Sequence, residues 1–187
     1  CGYGEIIKHS LIATKKTFNF LNKNKFKILK LQSPYIEKAI SDSCKIKRNI
    51  VQLDEKEKNI RKVLNLGHTF AHAYEATLRY SGKLNHGEAV ILGINSAVKF
   101  SLQNKLLNKN IHDQILSHIN HLKLPNNLNI YFNKKKINSI IKFMKSDKKN
   151  NSININLILL KNIGKPVINL NFKINKIQSF LKEELIN

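Results

Sequence analysis

Tryptophan is absent from this 187-residue sequence, and cysteine, proline and glycine are scarce, with 2, 3 and 7 residues. Cys1 and Cys44 are too few for a disulfide framework, so we expect a reducing, cytoplasmic protein. The scarcity of proline and glycine predicts long elements with few tight turns. No apolar run approaches the roughly 18 residues of a membrane-spanning helix, and residues 1–10 lack the pattern of a secretory signal. Because the chain begins at Cys1 rather than Met, we expect a piece of a longer protein.

Acidic residues are also scarce: 12 Asp and Glu stand against 33 Lys and Arg, which gives a formal net charge of +21. Such a charge is typical of proteins that bind nucleic acid or anionic membranes. However, only Arg48, Arg61 and Arg79 are arginines, the residue that dominates bidentate phosphate and base recognition, and the lysines are scattered. Asn and Ile are abundant as well, so compositional drift explains the charge better. We expect no nucleic-acid or membrane partner, although some of the charge can serve an anionic substrate.

Most of the chain shows the apolar spacing of helices. The pattern predicts helices over residues 5–21, from Ser33-Pro34 past Cys44, over 63–80, over 88–104, near 111–122, over 134–145 behind an Asn133 cap, and from Asn175 with Gln178 completing a capping box. Residues 153–160 instead begin with strict alternation, and a turn at 162–166 leads to a second apolar run at 167–172, which predicts a β-hairpin. The prediction is one mainly helical domain over residues 1–187, with one small hairpin.

A polar stripe stands out against a background of Lys and Asn. On one continuous helix its members would lie within an arc of about 80°; they are Asp54, Glu57, Arg61, Asn65, His68, His72 and Glu75. A solvated face is the plain alternative. Glu57 and His72 would be roughly 22 Å apart on such a helix, so either their roles are separate or the chain bends. Gly67 makes residues 65–67 the expected bend.

Two histidines of this stripe, His68 and His72, are one helical turn apart, a spacing that suits a shared divalent metal. The same spacing also arises by chance or from histidines that only support a ligand, and the residues alone leave these interpretations open. His86 offers a third imidazole, and Glu5 offers a carboxylate that is otherwise an ordinary helix N-terminal charge. The residues predict a metal site of His and Glu beside Lys and Arg suited to an anionic substrate.

Four sequence blocks, in the same order, resemble the 3-dehydroquinate synthase family. Residues 2–8 (GYGEIIK) are similar to its GxAExIK motif; residues 43–47 (SCKIK), 54–57 (DEKE), Arg61 and 64–73 (LNLGHTFAHA) are similar to its longest signature. Residues 84–90 (LNHGEAV) resemble its LHGEAV block, and 146–149 (SDKK) resemble a DKK segment. The resemblance covers most of the chain, but only the family's C-terminal, mainly helical domain.

Two positions depart from the family pattern. Gly4 stands where the family usually has Ala, which we expect to cost some helix propensity, and Ala71 stands where the family has Gly. We expect the Ala71 methyl to tighten the pocket between the two histidines.

The resemblance implies an enzyme that converts the seven-carbon sugar acid phosphate of the shikimate pathway into 3-dehydroquinate and phosphate, with NAD and a divalent metal, Zn or Co. In the family a Rossmann-like N-terminal domain binds NAD. Gly2 and Gly4 lack the third glycine and the preceding strand of a dinucleotide fingerprint. We therefore expect the NAD domain upstream of residue 1, a homodimer in the whole protein, and no turnover by this chain alone.

The resemblance also implies residue roles. Glu5, His68 and His86 match the metal ligands, and Glu57 and His72 match general bases. The positions that hold substrate are matched by Lys8, Lys47, Arg61, Asn65 and one of Lys148 and Lys149, with Lys148 preferred. Asp54, Glu75 and Glu88 are either supports for these groups or ordinary helix charges.

Three alternatives remain beside this interpretation. One is another sugar phosphate cyclase, and the second is a metal-dependent polyol dehydrogenase. Lys8, Lys47 and the segment Asp147-Lys148-Lys149 argue against the dehydrogenase, because this set suits a phosphorylated acid. The third is a basic nucleic-acid-binding module, which leaves the Glu and His cluster unexplained.

Overall fold

The computed structural model describes residues 2–146 and 154–185, and within them the chain is mainly helical with one two-stranded antiparallel sheet. The α-helices are α1 (Gly2–Ala13), α2 (Lys15–Leu29), α3 (Tyr35–Leu53), α4 (His68–Thr77), α5 (His86–Gln103), α6 (Lys109–His121), α7 (Ile137–Ser146) and α8 (Ile174–Glu184). Short 3-10 helices span Ile60–Asn65, Leu128–Ile130 and Lys134–Lys136, and the strands are β1 (Asn154–Asn162) and β2 (Lys165–Lys173). The predicted fold class, helical with one small hairpin, is confirmed.

Helix α5 forms the centre of the domain. Its sequence is apolar or small on every side, so nearly all of its residues from Gly87 to Ser101 are buried, as expected for a helix surrounded by protein. It packs against α1, α4, α6 and β1. Helices α1 and α4 both pack against the first turns of α5. Polar residues near the first turns of the three helices are therefore brought together.

Backbones of neighbouring helices meet at glycines. A Cβ on Gly93 of α5 would lie 2.2 Å from the Gly67 carbonyl oxygen, and one on Gly4 of α1 would lie 2.6 Å from the Gly87 carbonyl oxygen. Gly67 itself has φ +78 and precedes α4 in the left-handed conformation that glycine adopts without penalty. The α4–α5 and α1–α5 contacts therefore depend on the absence of side chains at these positions.

The prediction of one helix over residues 5–21 is wrong, because the helix is interrupted at Thr14. That residue is extended, with φ −149 and ψ 155, and its side chain accepts a hydrogen bond from the Thr17 N–H. A threonine side chain that caps a helix competes with helix continuation, which explains the break.

The predicted helix over residues 63–80 is also wrong in its first part. Residues Ile60–Asn65 form a 3-10 helix, Gly67 turns the chain, and α4 begins only at His68. The polar stripe therefore does not lie on one helix, and the chain bends where Gly67 was expected to bend it. Asp54 ends α3, and Glu57 lies in the following turn with φ +53.

The predicted side-chain caps at the starts of α3 and α8 are not present in the structure. Helix α3 begins at Tyr35 after Pro34, without a side-chain cap, and α8 begins at Ile174 after Lys173, also without one, so the capping box from Asn175 is wrong. A complete capping box instead joins Asn85 and Glu88 at the start of α5. The Asn133 cap is confirmed, because its side chain accepts from the Lys135 N–H.

The hairpin is confirmed. Strands β1 and β2 pair antiparallel with Ile155 opposite Phe172, and Ile155 is fully buried. The N–H of Gly164, in the connecting turn, donates to the Leu11 carbonyl at 2.7 Å, which ties the hairpin to α1. Among the described residues, no helix combines the length and apolarity needed to cross a membrane.

His118 on α6 is buried in the core and makes polar contacts through both of its ring nitrogens. Its Nδ1 lies 2.9 Å from Asn22 Oδ1 and its Nε2 lies 3.1 Å from the Tyr3 hydroxyl. Burial, helped by electrostatic repulsion from the neighbouring Lys25 and His121, lowers the pKa of His118 to about 4. The folded domain therefore holds this imidazole in its neutral form.

Replacement of Gly93 by Ala should destabilise the domain by about 1–3 kcal/mol, since the new Cβ would overlap backbone atoms that cannot move independently. Gly2→Ala is the matched control, because nothing lies within 4 Å of its Cβ position and the residue is exposed. Urea unfolding of the two variants measures the difference. Equal stability would contradict the close α4–α5 contact.

Acidification should destabilise the domain between about pH 6.5 and pH 4. In this window the unfolded chain protonates His118 and the folded chain does not, so stability rises with pH by up to about 1.4 kcal/mol per pH unit for this group and is lost as pH falls toward 4. His118→Gln should flatten the slope of unfolding free energy against pH in that window. A variant with the slope of the original protein would refute this linkage.

Candidate metal and substrate site

One cavity of about 440 Å³ collects most of the predicted site residues from six separate segments. It is lined by Glu5, Lys8 and His9 of α1, Lys47 of α3, Glu57 in the turn after α3, Arg61, Leu64 and Asn65 of the 3-10 helix, His68 of α4 and His86 of α5. His72 is not part of the wall, and Lys148 and Lys149 lie outside the described residues.

Glu5, His68 and His86 lie close enough to share one ion. Each offers a ligand atom, and these atoms all lie within 4.8 Å of one another. Glu5 Oε1 is 3.7 Å from His68 Nε2, close to the separation of about 3.4 Å between two ligands of a tetrahedral ion with bonds near 2.1 Å. Glu5 Oε1 is buried and finds no hydrogen-bond partner among residues 2–146 and 154–185. A buried carboxylate oxygen without a donor fits the role of a cation ligand.

Both imidazoles are oriented by partners behind them. His68 Nδ1 lies 3.3 Å from the Leu66 carbonyl oxygen, and His86 Nδ1 lies 3.1 Å from Glu75 Oε1. With the proton on Nδ1 in each case, the Nε2 lone pair is available for a metal. A carboxylate or carbonyl behind a histidine is the usual support for a metal-binding imidazole.

The electrostatics of the cluster favour the protonation states that metal binding requires. Burial, together with the charge of Lys8, lowers the pKa of His68 to about 4, against the opposing effect of Glu5. Burial opposes ionisation of Glu5, but the hydrogen bond and charge of Lys8 prevail and hold its pKa below the ordinary value. A neutral imidazole and an ionised carboxylate are both competent ligands.

Three cations line the same cavity as the cluster. The Lys8 side chain is only 4% exposed, and its Nζ donates to Glu5 Oε2 at 2.8 Å. Burial lowers the pKa of Lys8, and the Glu5 carboxylate works in the other direction. Lys47 lines the cavity and is exposed, and the Arg61 guanidinium, also in the cavity wall, donates to the Glu55 carbonyl oxygen. Cations of this number in one cavity can hold a carboxylate or a phosphate.

Glu57 and Asn65 form a polar pair in the same wall. The Asn65 side-chain amide donates to Glu57 Oε1 at 2.6 Å, although eight residues separate them along the chain. The turn that brings them together is fixed by Asp54, whose carboxylate accepts from the backbone N–H groups of Lys58, Asn59 and Arg61. These donors outweigh partial burial and hold the pKa of Asp54 below its ordinary value.

His72 lies at the rim rather than in the wall. It is exposed, and its ring centroid is 5.3 Å from that of His68 and 6.4 Å from that of His86. The cluster of ligand atoms includes His68 and His86 but not His72. A shared His68–His72 ligand pair is therefore the weaker of the interpretations left open by their spacing.

The structure gives a different role to each of the three carboxylates that the sequence left undecided, Asp54, Glu75 and Glu88. Glu75 supports His86, Asp54 organises the turn before the 3-10 helix, and Glu88 completes the capping box of α5. Only Glu75 contacts a candidate ligand directly.

His9 lines the cavity but was not singled out from the sequence. It is buried, and burial, with the charge of Lys8, lowers its pKa to about 4. The available signal was its position one turn after Glu5 on the same helix face.

The two departures from the family pattern have structural explanations. Gly4 faces the Gly87 carbonyl, so an alanine here would require the helices to move apart. Ala71 is fully buried and faces Gly93 of α5, and it is not among the cavity residues. The expectation that its methyl tightens the pocket is wrong, because the methyl fills the α4–α5 contact instead.

The fold is that of the helical half of sugar phosphate cyclases. It matches a 2-epi-5-epi-valiolone synthase from Streptomyces hygroscopicus subsp. jinggangensis, solved with NAD+ and Zn2+, with a TM-score of 0.83 at 18% identity, over 98% of this chain and 50% of that one. It also matches 2-deoxy-scyllo-inosose synthase, solved with carbaglucose-6-phosphate, NAD+ and Co2+, with a TM-score of 0.77 at 23% identity, over 97% of this chain and 50% of that one.

Sequence comparison gives the particular family. The family described as 3-dehydroquinate synthase C-terminal matches residues 2–150. The 3-dehydroquinate synthase of Pelagibacter ubique is 60% identical over 99% of this chain, and that of Leptospira interrogans is 36% identical over 91%. The chain belongs to the 3-dehydroquinate synthase C-terminal domain family, as its motifs indicated. It spans about half the length of these relatives, 50% and 45% respectively.

His68 and His72 should respond differently to substitution by Ala in the whole protein. If His68 is a ligand, His68→Ala should release a bound divalent metal, because the imidazole lone pair would be committed to the ion. His72→Ala should retain the metal and lose about 10²–10⁴-fold in rate, the usual contribution of a general acid or base. Metal content per protomer and turnover measure the two effects.

His121→Ala, an exposed histidine of α6 outside the cavity, is the control and should change neither property. Equal metal loss in the His68 and His72 variants would instead mean that the two histidines are a shared ligand pair.

Proposed function

We propose that the protein containing this chain is a 3-dehydroquinate synthase, a phosphate-eliminating lyase of the shikimate pathway to aromatic amino acids. It would cyclise 3-deoxy-D-arabino-heptulosonate 7-phosphate to 3-dehydroquinate and phosphate. The observation that carries the proposal is a Glu and two His within ligand distance of one another in a cavity walled by Lys8, Lys47 and Arg61. The 60% identity to the Pelagibacter synthase favours this substrate over those of other cyclases.

We assign Glu5 Oε1 and the Nε2 atoms of His68 and His86 as ligands of one divalent ion, Zn or Co. The bound ion would supply Lewis-acid polarisation of a substrate hydroxyl. Glu75 and the Leu66 carbonyl keep both imidazoles in the tautomer that presents Nε2 to the cavity. The orphaned Glu5 oxygen is the structural support for this assignment.

The substrate would be held through its two anionic groups. Lys8, buried against Glu5, is placed to contact a group that sits next to the ligand cluster, while Lys47 and Arg61 line the same cavity. Arg61 is suited to bidentate binding of a carboxylate or phosphate. Lys148 is proposed as a further contact, and Asn65 as a donor to substrate hydroxyls.

Glu57 and His72 are proposed to move protons. The Asn65 amide donates to Glu57 Oε1, which fixes the position of this carboxylate in the cavity wall. His72 lies at the rim beside His68 and His86, where a group leaving through the cavity mouth would pass. A ring at that place can donate to a phosphate oxygen as the ester bond breaks.

NAD is proposed to bind mainly outside this chain. Neither the spacing of Gly2 and Gly4 nor the helix that contains them resembles a dinucleotide fingerprint. We propose a Rossmann-like domain upstream of residue 1, a homodimer of the whole protein, and a cytoplasmic location.

Another sugar phosphate cyclase activity is the second candidate, because solved structures that share this fold include a 2-deoxy-scyllo-inosose synthase and a 2-epi-5-epi-valiolone synthase. The same metal cluster and cations would serve such a reaction. Only the product distinguishes the two.

The whole protein with NAD and Zn2+ or Co2+ should release phosphate and form 3-dehydroquinate from the heptulosonate phosphate, and the 187-residue chain alone should not, because hydride transfer needs bound NAD. Phosphate release and mass spectrometry of the product measure both. Turnover by the isolated chain would refute the proposal that NAD binds mainly outside this chain. A different carbocycle, formed only from another sugar phosphate, would favour the second candidate.

A further inference from the structure

His9 is the one histidine of the cavity wall that the proposed mechanism does not use. It lies on α1 one turn after Glu5, and only 4% of the residue is exposed. Its Nε2 is buried and has no hydrogen-bond partner in the part of the chain that the structure describes. The nearest carboxylate is that of Glu5, with Oε2 at 3.8 Å from His9 Nε2.

The other nitrogen of His9 is firmly held by α3. His9 Nδ1 lies 2.6 Å from the Ser43 hydroxyl oxygen, and both residues are buried. A hydroxyl can either donate or accept in such a contact. The position of the ring proton therefore depends on what Nε2 faces.

A neutral imidazole has one N–H, and the two possible placements are unequal here. A proton on Nδ1 would direct the Nε2 lone pair at the Glu5 carboxylate, so two acceptors would face each other in a buried place. A proton on Nε2 directs an N–H toward Glu5 Oε2 and lets the Ser43 hydroxyl donate to Nδ1. The second arrangement pairs every donor with an acceptor.

We propose that His9 is a positioning residue for Glu5: Ser43 donates to His9 Nδ1, and His9 Nε2–H is directed at Glu5 Oε2, so that Oε1 stays turned toward the metal position. This inference rests on the proposed metal site. The distance of 3.8 Å exceeds a hydrogen bond by less than about 1 Å, a shift within reach of a small rotation of either side chain.

The division of labour between the two Glu5 oxygens supports the proposal. Oε2 accepts from Lys8 Nζ at 2.8 Å and faces His9, while Oε1 faces His68 Nε2 and has no donor among the described residues. Donors on one oxygen and none on the other hold a carboxylate for binding through a single atom.

Direct contact between His9 and substrate is less compatible with the structure. His9 Nε2 has almost no accessible surface, so a substrate atom could reach it only after Glu5 or Lys8 moved. The ring edge lines the cavity, but its polar atoms point to protein groups on both sides.

The contact with Ser43 also links the metal end of the cavity to the anion end. Ser43 and Lys47 are one turn apart on the same face of α3. A bond from His9 to Ser43 therefore fixes α3 against α1 at the place where Lys47 enters the cavity wall.

Two variants separate the halves of the imidazole. In His9→Gln the amide nitrogen can take the place of Nε2 and still donate to Glu5, whereas in His9→Asn the amide reaches only the Nδ1 position beside Ser43. Co2+ titration of the whole protein, followed by visible absorption, measures metal affinity and ligand geometry without any turnover. Thermal unfolding of both metal-free variants is measured in parallel.

We expect His9→Asn to weaken Co2+ binding by about 10–100-fold, the usual cost of removing the support of a ligand, and His9→Gln to keep the Co2+ affinity of the original protein. Ser43→Ala should weaken binding by a few-fold, because the Nε2 proton is then no longer fixed. It is also the deciding variant if His9→Asn does not fold, and unchanged affinity in Ser43→Ala would then overturn the proposal.

Unchanged Co2+ affinity in His9→Asn, or equal loss in the Asn and Gln variants with equal loss of thermal stability, would overturn the positioning role. In either case the original protein still binds Co2+ and the proposed metal site stands. If the original protein itself bound no Co2+, the metal site and the role of His9 would both fall.

Discussion

The geometry of the site depends on direct backbone contacts between helices, which glycines make possible. Gly67 meets Gly93 where α4 crosses α5, and Gly4 meets Gly87 where α1 crosses α5, and in both places a Cβ would lie within 2.6 Å of a backbone atom. Each candidate metal ligand is the immediate neighbour of one of these glycines: Glu5 follows Gly4, His68 follows Gly67, and His86 precedes Gly87. Because close-packed backbones cannot slide without clashes, the helices that carry the three ligands are held at fixed distances. Packing of the core and geometry of the site are therefore the same constraint.

The buried Lys8 gives the cluster its electrostatic character. Its ammonium group bonds to Glu5 and lowers the pKa of that carboxylate, and its charge adds to burial in lowering the pKa of His68. A lysine so close to a metal ligand also competes with the ion for the same carboxylate. The arrangement in which Lys8 occupies Oε2 and leaves Oε1 bare resolves that competition.

Sequence patterns predicted the helical class and the hairpin, because apolar periods of about 3.6 and 2 are local properties of the chain. They did not predict the break at Thr14 or the 3-10 helix before Gly67, where a side-chain cap and a left-handed turn override apolar spacing that continues through both. The motifs selected eight of the ten residues that line the cavity. His9 was missed because its significance comes from contacts with Ser43, 34 residues away in the chain, and with a carboxylate whose orientation no sequence pattern shows.

The charge balance of the cavity explains why the proposed substrate is a doubly anionic sugar. Lys8, Lys47 and Arg61 contribute three positive charges, and Glu5 and Glu57 contribute two negative ones. A divalent ion raises the total to +3. A sugar acid phosphate carries one carboxylate and a phosphate of about −1.5 to −2 near neutral pH, so its binding nearly neutralises the cavity. A neutral polyol would leave that positive charge uncompensated in a partly buried place, where unbalanced charges are costly. The three cations that line the cavity therefore favour the proposed phosphorylated acid over a neutral polyol on charge alone.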